Sequence, residues 1–110
     1  TARPRSLFLP EKAAKRELQE ETGYEAGQLT KLLSFFPVPG FCDMLVHVFL
    51  ARELTYRGQN LDDTEFIEVL KIPLAQAVQM VWSGEIRDNT SATGILAAES
   101  FIKNNYKFLK

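Results

Sequence analysis

Residues 10–24 read PEKAAKRELQEETGY, and the prediction of the fold begins with them. Pro10 suits the first helical turn, where its missing N–H would have no partner in any case. Ala13, Ala14 and Leu18 favour the helical conformation in the turns that follow. Gly23 is typical of the position just past a helix, because glycine readily adopts the left-handed conformation that closes the last turn. The stretch predicts a short helix that ends sharply at this glycine.

Three glutamates of the predicted helix share one face. Glu17, Glu20 and Glu21 are spaced i, i+3 and i+4, the spacing that brings side chains together on a helix surface. Carboxylates held this way repel one another unless a positive charge lies between them. Mg²⁺, which prefers oxygen ligands, is the natural candidate, and the adjacent Arg16 can also pair with one carboxylate. The alternative is a solvated acidic helix face, which is common on protein surfaces.

The string RELQEETGY at residues 16–24 fills every fixed position of R-E-U-x-E-E-x-G-U, the second half of the Nudix box, where U is apolar or aromatic. The chain therefore resembles the Nudix hydrolases, and its downstream part is similar to their ADP-ribose pyrophosphatase branch. The resemblance implies an α+β fold, a Nudix-type α/β/α sandwich with a mixed sheet. It also implies hydrolysis of a diphosphate in a nucleoside diphosphate-linked small molecule.

The same resemblance implies roles for residues of the helix. Glu17, Glu20 and Glu21 would hold Mg²⁺ or Mn²⁺, and Arg16 would orient one of these carboxylates through a bidentate contact. Arg16 and Glu20 are therefore expected among the catalytic residues. Gly23 would let the chain turn from the helix into a strand.

An acidic loop further along the chain is the expected source of the catalytic base. In ADP-ribose pyrophosphatases such a loop often supplies the base or another metal contact, and Glu65 best fits that place, with Asp62 and Asp63 as neighbours. The alternative is a plain solvated acidic loop. His47, the single histidine, is expected in the core or on a sheet face rather than at a metal, because no second His or Cys is nearby.

The first residues depart from the family pattern. Counting back from Arg16 along G-x5-E-x7-R-E puts Phe8 at the glutamate and Ala2 at the glycine. We therefore interpret residues 1–9 as an unrelated leader and residues 10–110 as a truncated Nudix-like domain, an incomplete sandwich whose front strands are missing. Missing strands would expose a sheet edge and apolar surface, so we expect a homodimer.

Two functions stay open at this stage. One is Mg²⁺-dependent hydrolysis of ADP-ribose or a nucleoside diphosphate sugar, impaired by the missing N-terminal half. The other is a non-catalytic dimeric remnant that acts as a binding or scaffold module. Met44 favours the second function, because family members often have an acidic residue there.

The remaining patterns predict elements and, in part, their burial. Strands are predicted at residues 29–36, 44–52 and 66–72, and helices at residues 73–83 and 89–106. The apolar strand at 44–52 is expected to be buried on both faces. The first of these helices is expected to have an apolar stripe made of Leu74, Ala77, Val78, Val81 and Trp82. Asn89, Thr90 or Ser91 is expected to cap the second.

Composition limits the functional classes. The chain has 110 residues, which predicts one domain, and a net charge of −1, which gives no electrostatic argument for binding nucleic acid or an anionic membrane. No apolar run reaches the roughly 18 residues needed to span a bilayer. Cys42 is the single cysteine, so no intrachain disulfide can form, which fits a reducing cytoplasm.

Overall fold

The computed structural model describes residues 10–104, and within them the chain forms three helices and one two-stranded sheet. The elements in chain order are α1 (Pro10–Thr22), β1 (Tyr24–Phe35), β2 (Val46–Tyr56), α2 (Leu74–Ser83) and α3 (Asn89–Asn104). The described residues divide into two compact units, one made of 10–30 and 51–70 and the other of 31–50 and 71–104. The predicted leader and the predicted end of the last helix at Tyr106 lie outside the described residues.

The predicted first helix is confirmed as α1, and its end follows from local chemistry. Gly23 has φ +85°, the left-handed conformation that glycine adopts at little cost, and its N–H donates to the carbonyl of Gln19 at 2.8 Å. The hydroxyl of Thr22 donates to the Leu18 carbonyl at 2.6 Å and accepts from the N–H of Tyr24 at 3.2 Å. The chain therefore passes from helix to strand within very few residues.

The two strands run antiparallel, because early residues of β1 lie opposite late residues of β2. Gly27 lies opposite Glu53 in one unit, and the Ser34 hydroxyl lies 2.9 Å from Nδ1 of His47 in the other. The expected place of His47 on a sheet face is confirmed. Strand β1 begins at Tyr24, five residues before the predicted start at residue 29, because pairing with a distant strand outweighs the low strand propensity of residues 25–28.

Two predictions about strands are wrong. Residues 66–72 form no regular element, and Phe66 and Leu70 are 88% and 75% exposed. A strand needs a neighbouring strand to bond with, and the sheet in the described part of the chain consists of β1 and β2 alone. Strand β2 begins at Val46 rather than at residue 44, and its residues are half-buried up to Ala51 and exposed beyond it, so it is not buried on both faces.

The other unit contains α2 and α3, which pack against each other. Ala77 and Val78 of α2 are buried, as the apolar stripe predicts. Trp82 is 72% exposed, which contradicts its predicted place in the packed stripe. The periodicity of a helix identifies its apolar face, but it does not say how far along the helix a neighbour covers that face. The predicted end of this helix at residue 83 is confirmed, and Gly84, with φ +88°, follows it in the left-handed conformation.

The predicted cap of the last helix is wrong by one to three positions. Asp88 caps α3, because its Oδ2 accepts the N–H of Ser91 at 2.9 Å. Asn89 instead donates its side-chain amide to the carbonyl of Pro37 at 2.9 Å, and this hydrogen bond connects the start of α3 to the loop after β1.

Within residues 10–104, no helix has the length and apolar character that crossing a membrane requires.

Candidate functional site

The glutamates of the predicted site lie on the second half of α1. Glu17 is exposed, and Glu20 and Glu21 are half-buried. Arg16 lies beside Glu20, with Nε 3.8 Å from Oε2, and their side chains are 63% and 43% exposed. The structure therefore brings together Arg16 and Glu20, two of the three expected catalytic residues. Their roles in catalysis stay a prediction.

The carboxyl-terminal end of α1 is held by the segment that follows β2. The N–H of Asn60 donates to the carbonyl of Glu20 at 2.8 Å, and the side-chain amide of Gln59 donates to the carbonyl of Glu21 at 2.6 Å. The last carbonyls of a helix have no partner within it, so outside donors satisfy them and fix the backbone there. The backbone that carries Glu20 and Glu21 is thus fixed from outside the helix.

The turn after α1 is bound by the same segment. The carbonyl of Gly23 accepts the N–H groups of Arg57 at 2.6 Å and Gly58 at 3.1 Å. The rings of Tyr24 and Tyr56 meet edge to face with centroids 5.4 Å apart, a favourable arrangement for aromatic pairs. These contacts make the end of α1, the start of β1 and the end of β2 one connected region.

Glu65 lies in a tight turn closed by reciprocal hydrogen bonds. Asp62 accepts the N–H of Thr64 at 2.9 Å and its hydroxyl at 2.7 Å, while Oε1 of Glu65 accepts the N–H of Asp62 at 3.0 Å. The hydrogen bonds from Thr64 lower the pKa of the Asp62 carboxyl, because they stabilise its charged form. Glu65 is exposed to solvent, and its role as a base stays a prediction.

The chemistry of the donor set fits a hard divalent cation. Glu17, Glu20 and Glu21 supply carboxylate oxygens from one helix, the ligand type that Mg²⁺ and Mn²⁺ accept. Among residues 10–104, however, no three His, Cys, Asp or Glu side chains are grouped so that they could hold a metal ion. The residue types and the spacing that a metal site needs are therefore present, but the three carboxylates are not arranged around a common point in this structure.

The sequence does not predict that Gln59 and Asn60 hold the end of α1. Gln59 and Asn60 read as part of a polar loop, and neither belongs to the box. Their hydrogen bonds to α1 join residues far apart in the chain, so no local pattern indicates them. Gly58, which precedes them with φ +104°, marks only a turn.

Comparison with known proteins identifies a matching family profile and several proteins of similar sequence. The sequence profile described as the NUDIX domain matches residues 9–91. An ADP-ribose pyrophosphatase of Bacillus subtilis is 48% identical over 88 residues, which cover 78% of this chain and 48% of that protein. A GDP-mannose pyrophosphatase of Klebsiella pneumoniae is 47% identical over 83 residues, which cover 72% of this chain and 41% of that protein.

A solved structure shares the fold. The crystal structure of an ADP compounds hydrolase superposes with a TM-score of 0.75 and 22% sequence identity, covering 84% of this chain and 50% of that one. The chain is thus α+β with the arrangement of part of a Nudix sandwich. It spans about half the length of the curated relatives it matches.

Proposed function

The chain belongs to the NUDIX domain family, and we propose that it acts as a Mg²⁺-dependent diphosphatase on ADP-ribose or a nucleoside diphosphate sugar. The observation that carries this proposal is the complete half-box, which runs from α1 into the start of β1. Hydrogen bonds from Gln59 and Asn60 fix the end of α1 that bears its glutamates. The relatives named as ADP-ribose and GDP-mannose pyrophosphatases support the substrate class. Because each of them is about twice as long as the matched part, the substrate remains part of the proposal.

In the proposed reaction the residues of α1 bind and orient. Glu17, Glu20 and Glu21 would hold Mg²⁺ or Mn²⁺, which would offset the negative charge on the phosphoryl oxygens. Arg16 would keep the carboxylate of Glu20 in a fixed orientation through the ion pair seen at 3.8 Å. The turn at Gly23 would keep this end of the helix next to the segment that follows β2.

Glu65 would act as the general base. Its carboxylate would accept a proton from a water molecule as the water oxygen bonds to one phosphorus, and the bond from that phosphorus to the bridging oxygen would break. The second phosphate would leave with the bridging oxygen. The N–H of Asp62, which already contacts Oε1, would restrict the orientation of the carboxylate and leave its other oxygen to accept the proton.

The experiment is a turnover assay with ADP-ribose and with GDP-mannose, run with and without Mg²⁺ and repeated with Mn²⁺. The expected products from ADP-ribose are AMP and ribose 5-phosphate. The double variant Glu20→Gln, Glu21→Gln keeps the size of both side chains and removes their charge, so turnover should be lost. The matched control is Glu11→Gln in the first turn of α1, which should retain turnover. Turnover that persists in the double variant would show that the site is assigned wrongly.

We propose a homodimer in a reducing, cytoplasmic setting as the working state of this chain. Large apolar side chains are widely exposed in the described part of the chain, with Phe41 at 91% and Phe66 at 88%, and such surface favours association. Cys42 is a free and exposed thiol, which suits a reducing compartment. Sedimentation of the chain under reducing conditions tests the dimer, and a single monomeric species at all concentrations would contradict it.

A second candidate function is a non-catalytic binding or scaffold module. The observation that favours it is the lack of any gathered group of three metal-binding side chains within residues 10–104. The turnover assay separates the two functions, because a folded chain that neither hydrolyses these substrates nor binds Mg²⁺ would favour the binding module.

A further inference from the structure

The side chain of Gln59 joins two segments of one unit. Its Nε2 donates to the carbonyl of Glu21, at the end of α1, at 2.6 Å, and to the carbonyl of Ile67 at 3.2 Å. Glu21 belongs to the helix that bears the half-box carboxylates. Ile67 lies two residues beyond Glu65 in the loop that follows β2. One amide group therefore connects the helix end to the loop that carries the proposed base.

The chemistry of both partners determines which side chain can make this connection. A primary amide carries two N–H donors on one nitrogen, and a backbone carbonyl only accepts. The two carbonyls thus require a group with at least two donors at the end of a side chain of this length. A carboxylate of the same size cannot replace the amide, because it has no donor at neutral pH and would bring negative charge next to two oxygens.

Further hydrogen bonds also hold the loop against the helix. The N–H of the next residue, Asn60, donates to the Glu20 carbonyl at 2.8 Å. The turn at Asp62 and Glu65 lies between the two anchoring points and is closed by its own hydrogen bonds. The side chain of Gln59 reaches both the helix and the far side of this turn.

We propose that Gln59 is a positioning residue, which holds the loop bearing Glu65 against the carboxylate-bearing end of α1 by bonding the carbonyls of Glu21 and Ile67. The inference rests on the proposed function, because it assigns to Gln59 the alignment of the base with the cation-binding glutamates. Catalysis depends steeply on such alignment, and a shift of about 1 Å by a distant mutation can cost on the order of 100-fold in rate. Groups that orient catalytic side chains from outside the site matter for the same reason.

The variants separate hydrogen-bond donation from size. Gln59→Glu keeps the shape and removes both donors, Gln59→Met removes the donors without adding charge, and Gln59→Lys keeps donors at the end of a flexible chain. The matched control is Gln79→Glu, the same chemical change at an exposed position of α2. Thermal unfolding of each variant identifies those that fold, and Gln59→Met serves if Gln59→Glu does not.

The first measurement is independent of activity. Spin labels are placed at Lys15→Cys on α1 and Glu68→Cys in the loop, both exposed positions, in a Cys42→Ser background. We expect a narrow distribution of label distances in the parent and in Gln79→Glu, and a broad or displaced one in Gln59→Glu and Gln59→Met. An unchanged distribution in these two Gln59 variants would overturn the inference.

The second measurement is steady-state hydrolysis of ADP-ribose. We expect kcat to fall by about 10- to 100-fold in Gln59→Glu with KM unchanged, and Gln59→Lys to recover most of the loss. A merely stabilising role would lower the unfolding temperature and leave kcat of the folded variant intact, which would overturn the inference. No turnover in the parent would instead sink the proposed function, and the label distances would then report whether Gln59 links the two segments.

Discussion

Gly23 lies against the ring of Tyr56, so closely that a β-carbon on Gly23 would be 2.6 Å from Cε1 of the tyrosine. The same β-carbon would be 3.1 Å from the carbonyl carbon of Gly58 and 3.2 Å from the backbone nitrogen of Gln59. The glycine of the half-box thus has a steric reason in this chain. It lets the segment after β2 approach the end of α1 and bond its last carbonyls.

We expect Gly23→Ala to destabilise the fold by about 2 kcal/mol or more, because alanine is strained at φ +85° and its methyl group would meet backbone atoms that cannot rotate away. The change in the free energy of unfolding is measured by urea denaturation. Gly84→Ala is the matched control, because Gly84 has φ +88° and no described atom would lie within 4 Å of a β-carbon added there. Equal losses in the two variants would show that the contact with Tyr56 does not matter.

The ion pair of Arg16 with Glu20 gives a prediction of a different kind. Both side chains are substantially exposed, so Arg16→Ala should change the free energy of unfolding by no more than about 0.5 kcal/mol. If Arg16 orients Glu20 as proposed, the same substitution should weaken Mg²⁺ binding clearly, and Arg16→Lys should restore only part of it. Calorimetric titration with Mg²⁺ measures this, with Lys15→Ala on the same helix as the control. Equal Mg²⁺ affinity in Arg16→Ala and the parent would contradict the orienting role.

Glu53 has φ +58°, a left-handed conformation that is unfavourable for residues other than glycine, and it lies opposite Gly27. A β-carbon on Gly27 would be 2.9 Å from the Glu53 carbonyl oxygen, so the conformation of Glu53 requires a glycine at position 27. We expect Glu53→Gly to raise the free energy of unfolding by up to about 1 kcal/mol, since the relieved strain exceeds the added flexibility of the unfolded chain.

Urea denaturation of two further variants checks this interpretation. Gly27→Ala should destabilise, because its methyl group would collide with the Glu53 carbonyl. Leu54→Gly, a glycine in the neighbouring strand position, should destabilise by about 0.5–1 kcal/mol. A loss of stability in Glu53→Gly equal to that in Leu54→Gly would mean that the conformation of Glu53 stores no strain.

The parts of this fold that the sequence predicts well are those with local causes. Pro10 and Gly23 bracket α1 by the conformations that proline and glycine prefer, and Gly84 ends α2 in the same way. The carboxylate spacing on α1 is likewise a local property of a helix. These features therefore follow from residues that are near one another in the chain.

The parts that the sequence does not predict depend on distant partners. Residues 25–28 have low strand propensity, yet they form part of β1 because β2 supplies the hydrogen bonds. The largely apolar residues 66–72 form no strand because no described strand pairs with them. The anchoring of α1 by Gln59 has no local pattern at all. The cap at Asp88 has a local cause but is not predicted from the sequence. Several good capping residues follow one another there, and only the backbone geometry selects among them.

We expect Asp88 to make the stability of the unit that contains α3 depend on pH. The N–H of Ser91 stabilises the charged carboxylate and lowers the pKa of Asp88 below its ordinary value of 3.8. A carboxyl whose pKa is lowered by folding stabilises the folded state above its unfolded pKa, and this contribution is lost as the pH falls through the lower folded value.

Asp88→Ala should therefore lower the unfolding temperature at pH 7, and the deficit relative to the parent should shrink as the pH falls below about 4. Asp88→Asn, which caps without titrating, should lose little at pH 7, and Asp43→Ala, at an exposed carboxylate outside the helices, controls for the loss of a negative charge. A deficit in Asp88→Ala that stays constant from pH 7 down to the acid limit of folding would contradict the assigned hydrogen bond.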